Sequence, residues 1–407
     1  MGEGTHEKKR VPAIRFAGFT EPWEQRKLEN LAVFNPKENL PDEFEYVDLE
    51  SVVETEMLSH RTEKKATAPS RAQRLARLGD VFYQTVRPYQ KNNYLFEKTD
   101  KYYVFSTGYA QLRPYNDGYF LFSLVQCESF VKVVLDHCTG TSYPAINSND
   151  LAKINVFAPI NAHEHKKIGK IFRNLDNLIT LHQRKCDALK KVKKSLLQKM
   201  FPKEGSVVPE IRFAGFTEAW EQRKLGNLAQ FSKGIGYSKS DLKSKGTPII
   251  LYGRLYTKYE TIISNVDTYV EPKENSVYSQ GGEVIVPASG ETSDEISIAS
   301  VVEKSGVLLG GDLNIITPSK NLDPAFLAIS ISNGKPHKDM TKMAQGKSVV
   351  HLHNTDLEKI KLLYPEFIEQ QKISHYFRKF DNLITLHQRK LDQLKTIKKS
   401  LLQQMFV

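Results

Sequence analysis

The segment that decides the fold is Ile168 to Phe201, IGKIFRNLDNLITLHQRKCDALKKVKKSLLQKMF, because the chain repeats it almost unchanged from Ile373 to Phe406. The identical core, DNLITLHQRK, begins at Asp176 and again at Asp381. A segment that occurs twice indicates two equivalent structural roles, so the rest of the chain is expected to follow a duplicated plan.

The repeated segment has the periodicity of a coiled-coil helix. Its apolar or packing positions recur about every 3.5 residues, and in the first copy they are Leu175, Leu178/Ile179, His182, Cys186, Leu189, Val192, Leu196 and Met200. We expect Asn161 and Glu164 to cap the first helix. Each helix would reach roughly 50 Å, and two near-identical helices most simply pair antiparallel about a pseudo-two-fold axis.

A second repeat heads each half of the chain. IRFAGFTEPWEQRKLENLAVF, from Ile14 to Phe34, returns as IRFAGFTEAWEQRKLGNLAQF from Ile211 to Phe231. The sequence therefore predicts an α+β protein with two similar globular domains joined by two long antiparallel coiled-coil helices. Its expected divisions are an N-terminal tail (1–20), a first domain (21–160), a first helix (161–204), a second domain (205–365) and a second helix (366–407).

The two regions between the repeats differ in sequence but share landmarks. Both are rich in aromatic and β-branched residues, which predicts short strands, including GDVFYQTVRP from Gly79, KYYVFSTGYAQLRP from Lys101 and GYFLFSLVQ from Gly118. Gly79-Asp80-Val81 corresponds in order to Gly282-Glu283-Val284, and Gly140-Thr141-Ser142-Tyr143-Pro144 to Gln345-Gly346-Lys347-Ser348. We therefore expect one scaffold with a mixed, curved sheet and two different sets of loops.

Charge and composition favour an acidic partner. The net charge is +11, and the excess is concentrated in residues 163–204 (+8) and 366–407 (+4).

The three cysteines have no CxxC spacing, so neither a disulfide framework nor a thiolate zinc site is expected. Neither a signal peptide nor a run of about 18 apolar residues is evident, which predicts a cytoplasmic protein without a membrane partner.

Catalytic motifs are not apparent in the sequence. A DNA methyltransferase needs a glycine turn for its cofactor and an (N/D)PP(Y/F) element, and Asn35-Pro36-Lys37 is the nearest approach. Gly346-Lys347-Ser348 lacks the first glycine of a phosphate-binding loop, and the pairs His163/His165 and His351/His353 lack companions for a metal site. A self-contained restriction or methylation enzyme, and a coiled-coil scaffold without DNA specificity, are the competing interpretations. No catalytic or metal-binding residue is assigned.

Residues suited to recognition of bases and phosphates remain. Guanidinium, amide, hydroxyl and ammonium groups of this kind contact DNA in known complexes. In the first domain the predicted DNA-binding residues are Ser70, Arg71, Gln73, Arg74, Arg87, Tyr109, Gln111 and Tyr143. In the second they are Lys233, Tyr237, Tyr252, Arg254, Ser289, Thr292, Lys335, Lys338, Lys342 and Lys347.

The double arrangement of heading segment, variable domain and repeated helix resembles the specificity subunit of type I restriction-modification systems. The resemblance covers almost the whole chain. It implies that the variable domains are target recognition domains, each reading one half of a bipartite, asymmetric sequence in double-stranded DNA. It also implies that the helices set the spacer and dock two methyltransferase subunits, joined by two restriction subunits. These partners would use S-adenosylmethionine, ATP and Mg, whereas this chain would bind no cofactor and catalyse nothing.

Overall fold

The computed structural model describes residues 10–140, 142–346 and 349–407. The chain forms two compact units: unit 1 comprises Met1–Gln183 with Arg389–Val407, and unit 2 comprises Arg184–Gln388. The unit boundaries fall inside both long helices. Each helix is therefore shared between the units and does not form a segment of its own.

Unit 1 contains twelve short strands in its described residues. They are β1 (Glu24–Lys27), β2 (Ala32–Phe34), β3 (Glu43–Val47), β4 (Val52–Val53), β5 (Glu56–Met57), β6 (Arg61–Lys64), β7 (Ala72–Leu75), β8 (Val81–Gln84), β9 (Tyr94–Leu95), β10 (Tyr103–Ser106), β11 (Tyr109–Pro114) and β12 (Asn155–Ala158). Its helices are α1 (Gly118–Gln126), α2 (Glu128–Asp136), α3 (Ser148–Lys153) and the first part of α4 (Ala162–Lys199). The two main sheets have the orders β6-β3-β10-β7 and β2-β11-β8-β9. Strands β3 and β10 pair in parallel, so the predicted mixture of strand directions is confirmed. The strands of unit 1 nevertheless form several separate sheets.

Unit 2 is built from the same kinds of element. Its strands are β13 (Glu221–Lys224), β14 (Ala229–Lys233), β15 (Thr247–Ile250), β16 (Ile262–Ile263), β17 (Tyr269–Val270), β18 (Glu283–Pro287), β19 (Ser289–Gly290), β20 (Ser300–Val302), β21 (Leu308–Leu309), β22 (Leu313–Pro318), β23 (Val350–His351) and β24 (Lys361–Tyr364). Its helices are α5 (Gly253–Thr257), α6 (Ser293–Ile296), α7 (Pro324–Ile331), α8 (Gly334–Met343), α9 (Asn354–Leu357) and the first part of α10 (Phe367–Met405). The largest sheet has the order β14-β22-β18-β20-β16.

The stretch GYFLFSLVQ forms helix α1, so its prediction as a strand was wrong. The Asp117 side chain accepts a hydrogen bond from the backbone N–H of Phe120 and caps the helix. Residues Tyr119 to Gln126 are all buried, which removes the polar face that marks most helices in sequence. In the described residues no single helix is long and apolar enough to cross a membrane; α1 and α2, bent by 66° at their junction, meet the criteria of length and composition only when they are taken together.

Each unit closes its core with the C-terminal end of a long helix. In unit 1, Phe406 at the end of α10 packs edge-on against Trp23. In unit 2, Phe201 just beyond α4 packs the same way against Trp220. The helices follow the predicted periodicity only in part, because Leu178 is 43% exposed and lies outside the seam that was expected to bury it.

The start of each long helix is fixed by a buried ion pair with the heading repeat. In unit 1, Arg15 donates two hydrogen bonds to Glu164, at 2.7 and 2.8 Å. In unit 2, Arg212 donates two to Glu369, at 2.8 and 2.7 Å. Glu164 therefore pairs with a residue far away in sequence. The capping role expected for it is not seen, while the Asn161 side chain accepts a hydrogen bond from the His163 N–H.

Candidate nucleic-acid interface

The two units share a backbone framework at one edge of their sheets. In unit 1 the Thr85 N–H donates to the Gly108 carbonyl, and the Ile146 N–H donates to the Thr85 carbonyl. In unit 2 the Ala288 N–H donates to the Asp312 carbonyl, and the Leu352 N–H donates to the Ala288 carbonyl. The same pattern of hydrogen bonds thus joins a strand end, a turn and a hairpin in each unit, and we call it the hairpin edge.

The hairpins of this edge contain the two Gly-containing loops that correspond by their order in the sequence. In unit 1, Thr139 bridges to Ala145 across the turn, and Ala145 also bridges to Val86. In unit 2, Gln345 bridges to His351, and His351 pairs with Ser289 between β23 and β19. The correspondence between the two Gly-containing loops is therefore confirmed in the described residues.

Several predicted residues of unit 1 lie along the hairpin edge. Arg87 packs over the ring of Tyr143, with 4.4 Å between its guanidinium carbon and the ring centroid. Tyr143 is 64% exposed. The Arg71 carbonyl accepts from the Thr107 N–H, which places Arg71 beside the turn that contains Gly108. Ser70 and Arg71 are exposed.

Gln73 and Arg74 lie on strand β7, next to that turn. Gln73 is exposed, and its side-chain amide donates to the Ser70 carbonyl at 2.8 Å. Arg74 is half-buried, and its Nε has no hydrogen-bond partner among the described residues. Burial lowers the pKa of the Arg74 guanidinium from its ordinary value. An unpaired, partly desolvated cation is the kind of group that an anionic ligand such as a phosphate would stabilise.

The predictions for Tyr109 and Gln111 were wrong, because both side chains are fully buried. The Tyr109 ring packs edge-on against Phe82 and Phe105, and burial raises the pKa of its hydroxyl. The Gln111 amide donates to the Leu75 carbonyl and to the Asp80 carboxylate, each at 2.7 Å. Strand β11 carries them inward, so they hold the sheet together and do not face a ligand.

In unit 2 four predicted residues lie at or near the hairpin edge. Lys233 is exposed at the end of β14. The Ser289 side chain is buried, but its carbonyl accepts a hydrogen bond from the Tyr256 hydroxyl, and Tyr252, 37% exposed, packs edge-on against Tyr256. Thr292 is exposed, and its hydroxyl accepts from the Glu295 N–H as the N-cap of α6. Of these four residues, Lys233, Tyr252 and Thr292 reach the surface, whereas Ser289 does not.

Tyr237 and Arg254 do not belong to an open surface, and their prediction as DNA contacts was wrong. Tyr237 is buried and accepts a hydrogen bond from the Lys273 N–H at 2.7 Å. Arg254 is 8% exposed, and its guanidinium bonds to Asp267 at 2.6 Å and Glu260 at 2.7 Å. Its charge is therefore used inside unit 2.

Helix α8 carries three of the predicted lysines. Lys335, Lys338 and Lys342 lie at helical spacings of three and four residues, so they share one face, and Lys338 and Lys342 are exposed. No ion pair joins any of the three to a carboxylate within the described residues. Lys347 lies outside the described residues.

The sequence missed two histidines at the unit 2 edge as recognition candidates. His351 and His353 are exposed, and their parallel rings lie 6.4 Å apart. Alternation along strand β23 and the following residues places both on one side, a signal that the sequence contained. Among the described residues, no cluster of three or more His, Cys, Asp or Glu side chains could hold a metal ion.

Comparison with known proteins identifies relatives of both halves. The family model described as the type I restriction modification DNA specificity domain matches residues 61–191 and 217–396. A type I restriction enzyme specificity subunit, MjaVIII of Methanocaldococcus jannaschii, is 24% identical over 298 residues, which is 70% of this chain and 68% of the relative.

Two solved structures share the fold. The type I restriction-modification S subunit from M. genitalium aligns with a TM-score of 0.67 at 14% identity, covering 98% of this chain and 99% of its own. A chain from a study of complex assembly and conformational transition of the type I R-M system has a TM-score of 0.51 at 20% identity, covering 93% of this chain and 96% of its own.

Proposed function

The chain belongs to the family of type I restriction-modification DNA specificity subunits, and from this premise we propose that each unit reads one half of a bipartite, asymmetric sequence in double-stranded DNA. The observation that carries the proposal is the hairpin edge. Its backbone hydrogen bonds are the same in both units, while its side chains differ, with Arg87 and Tyr143 in unit 1 but Gly290 and Val349 at the equivalent positions of unit 2. A constant framework with different side chains would let both units dock on DNA with the same geometry and read different bases.

We propose that α4 and α10 pair as antiparallel coiled-coil helices with pseudo-two-fold symmetry and set the spacer between the half-sites. Two equivalent ion pairs support this. In unit 1, Lys398 of α10 bonds to Asp176 of α4 at 2.6 Å. In unit 2, Lys193 of α4 bonds to Asp381 of α10. Each pair joins a lysine late in one helix to an aspartate early in the other, as antiparallel pairing requires.

The helices also carry apolar side chains that stay exposed within their units. In α4 these are Leu178, Leu181 and Val192, and in α10 they are Leu383, Leu386 and Ile397, each 43–48% exposed. Exposed apolar residues at equivalent repeat positions favour two equivalent docking sites. We propose that two methyltransferase subunits occupy them and that two restriction subunits join the complex.

The chemistry of the complex would then come from these partners. S-adenosylmethionine, ATP and Mg would bind to the methyltransferase and restriction subunits, and this chain would bind none of them and act as a non-catalytic recognition subunit. We propose that it works in the cytoplasm, where its DNA substrate and partner subunits would meet.

The test is co-expression of this chain with its methyltransferase subunit, followed by genome-wide mapping of methylated adenine. A bipartite motif is expected, and exchange of the variable region of unit 1 should change one half of that motif while the other half stays the same. A continuous motif, or a change in both halves after the exchange, would refute bipartite reading by the two units. Unmethylated DNA from an assembled complex would refute the recognition role.

A further inference from the structure

We propose that Arg87, supported by Tyr143, is a specificity-determining residue that recognises a guanine in the half-site read by unit 1. The inference rests on the proposed function and adds a base and a side chain to it. Three features of Arg87 support this role: its guanidinium has no carboxylate partner among the described residues, its backbone is held in an uncommon conformation, and its guanidinium lies over an exposed ring.

Arg87 differs from the two other arginines of unit 1 that pack on a tyrosine, Arg61 and Arg173, in having no carboxylate partner among the described residues. Arg61 also packs on a tyrosine, Tyr46, at 4.7 Å, but it is neutralised by Asp48 at 2.9 Å and Glu63 at 2.8 Å. Arg173 packs on Tyr119 and bonds to Glu97 at 2.9 Å. Within the described part of the chain the Arg87 guanidinium makes neither an ion pair nor a side-chain hydrogen bond, so its N–H donors there are open to a ligand.

The backbone of Arg87 is held in the left-handed region, with φ of 54°. Residues other than glycine adopt this backbone region at an energetic cost and do so mainly where the surrounding structure imposes it. The Arg87 N–H donates to the Pro144 carbonyl at 2.7 Å, and Pro88 follows directly in a 3-10 turn. The hairpin thus fixes both the backbone of Arg87 and the tyrosine under its side chain.

The Tyr143 ring lies under the Arg87 guanidinium, with 4.4 Å between the guanidinium carbon and the ring centroid. Stacking on an aromatic face leaves the edge of the guanidinium open, and two parallel N–H groups on that edge match the O6 and N7 acceptors of guanine in the major groove. A phosphate contact, which the same fork can make, would be independent of base identity. Unit 2 has Gly290 and Val349 at these positions, so it would lack this contact and recognise a different base there.

The experiment uses the complex with the methyltransferase subunit and maps methylated adenine for Arg87→Ala, Arg87→Lys and Arg61→Ala. For both Arg87 variants, one guanine of the unit 1 half-site should become degenerate, with selectivity there falling about 5- to 150-fold. Arg61→Ala is the matched control, because Arg61 also stacks on a tyrosine but is fully paired, and it should leave the motif unchanged.

A binding assay separates base recognition from charge. Duplexes with 7-deazaguanine at each guanine of the unit 1 half-site lack the N7 acceptor, and one substitution should weaken wild-type binding while having no effect on Arg87→Ala. Arg87→Lys keeps the charge and should fold even if Arg87→Ala does not. A half-site without guanine, or an equal loss of affinity on all sequences in the variants, would overturn the inference. Either result would leave a wild-type bipartite motif intact, whereas absence of that motif would count against the proposed function itself.

Discussion

Replacement of Arg15 by alanine should destabilise unit 1 by about 3–5 kcal/mol, because it leaves a buried carboxylate without its counter-charge. The Glu164 side chain is 1% exposed and accepts hydrogen bonds from Arg15 Nε and Nη2 and, at 3.3 Å, from Trp23 Nε1. After the substitution only the indole N–H remains. This single hydrogen bond cannot replace two charge-assisted bonds.

The assay follows from the distribution of tryptophan. The chain has two tryptophans, Trp23 in unit 1 and Trp220 in unit 2, and Trp23 is fully buried against Phe120 and Phe406. In a Trp220→Phe background, the fluorescence of Trp23 reports urea unfolding of unit 1 alone. The Trp220 Nε1 has no partner among the described residues, so the background substitution itself removes no hydrogen bond.

A double variant separates loss of charge balance from loss of packing. Arg15→Met with Glu164→Leu replaces the pair by apolar side chains of similar volume, and it should recover about 2 kcal/mol or more of the loss because no unpaired charge remains. A single-variant loss below about 1 kcal/mol, or a double variant no more stable than Arg15→Ala, would refute the reasoning.

Four further predictions concern separate features. Hydrogen bonds to Lys101 first, and also to His60 and Thr62, lower the pKa of Glu45 from 4.5 to about 2. The stabilising contribution of Glu45 is therefore present above pH 4.5 and is lost as the pH falls toward about 2. Urea unfolding of the Glu45→Gln variant should accordingly show a weaker loss of stability across that pH range than the wild type. Burial raises the pKa of the Cys127 thiol to about 12, so mass spectrometry after maleimide treatment at pH 8 should find the half-buried Cys138 labelled in the native protein and Cys127 only after unfolding. A Cβ at Gly169 would lie 2.0 Å from Asp117 Oδ1, so Gly169→Ala should lower the stability of unit 1 to urea by about 1–3 kcal/mol. At the equivalent position of unit 2, Ser374→Gly removes a hydrogen bond to Asp323 and should lower the stability of unit 2 to urea by about 1 kcal/mol. Replacing Lys338 and Lys342 by alanine should weaken DNA binding equally for all sequences and reduce the slope of log K against log salt by about 0.9 for each phosphate that the variant no longer neutralises; an unchanged slope would exclude α8 from the interface.

The repeats, the long helices and the correspondence between the hairpins of the two units could be predicted because each leaves a local pattern in the sequence. It failed where contacts between distant residues decide the outcome. Glu164 looked like a local capping residue, yet its partner Arg15 lies 149 residues away. Tyr109 and Gln111 resembled recognition residues by type, and only the packing of β11, whose residues from Tyr109 to Leu112 are all buried, shows that neither can face a ligand. Helix α1 has no polar face, so its apolar run was indistinguishable from a buried strand.

The division of the chain explains how two different variable regions can share one scaffold. Each unit is completed by helix residues from the repeats, and the buried ones match in kind: Phe172 and Met405 in unit 1 correspond to Phe377 and Met200 in unit 2. The heading repeat contributes Trp23 or Trp220, also buried. A variable region therefore meets the same side chains whichever half it occupies. Because cores tolerate substitution best when the contacting volumes are kept, replacement of one variable region by another, between its own flanking repeats, should preserve folding while it changes the hairpin edge.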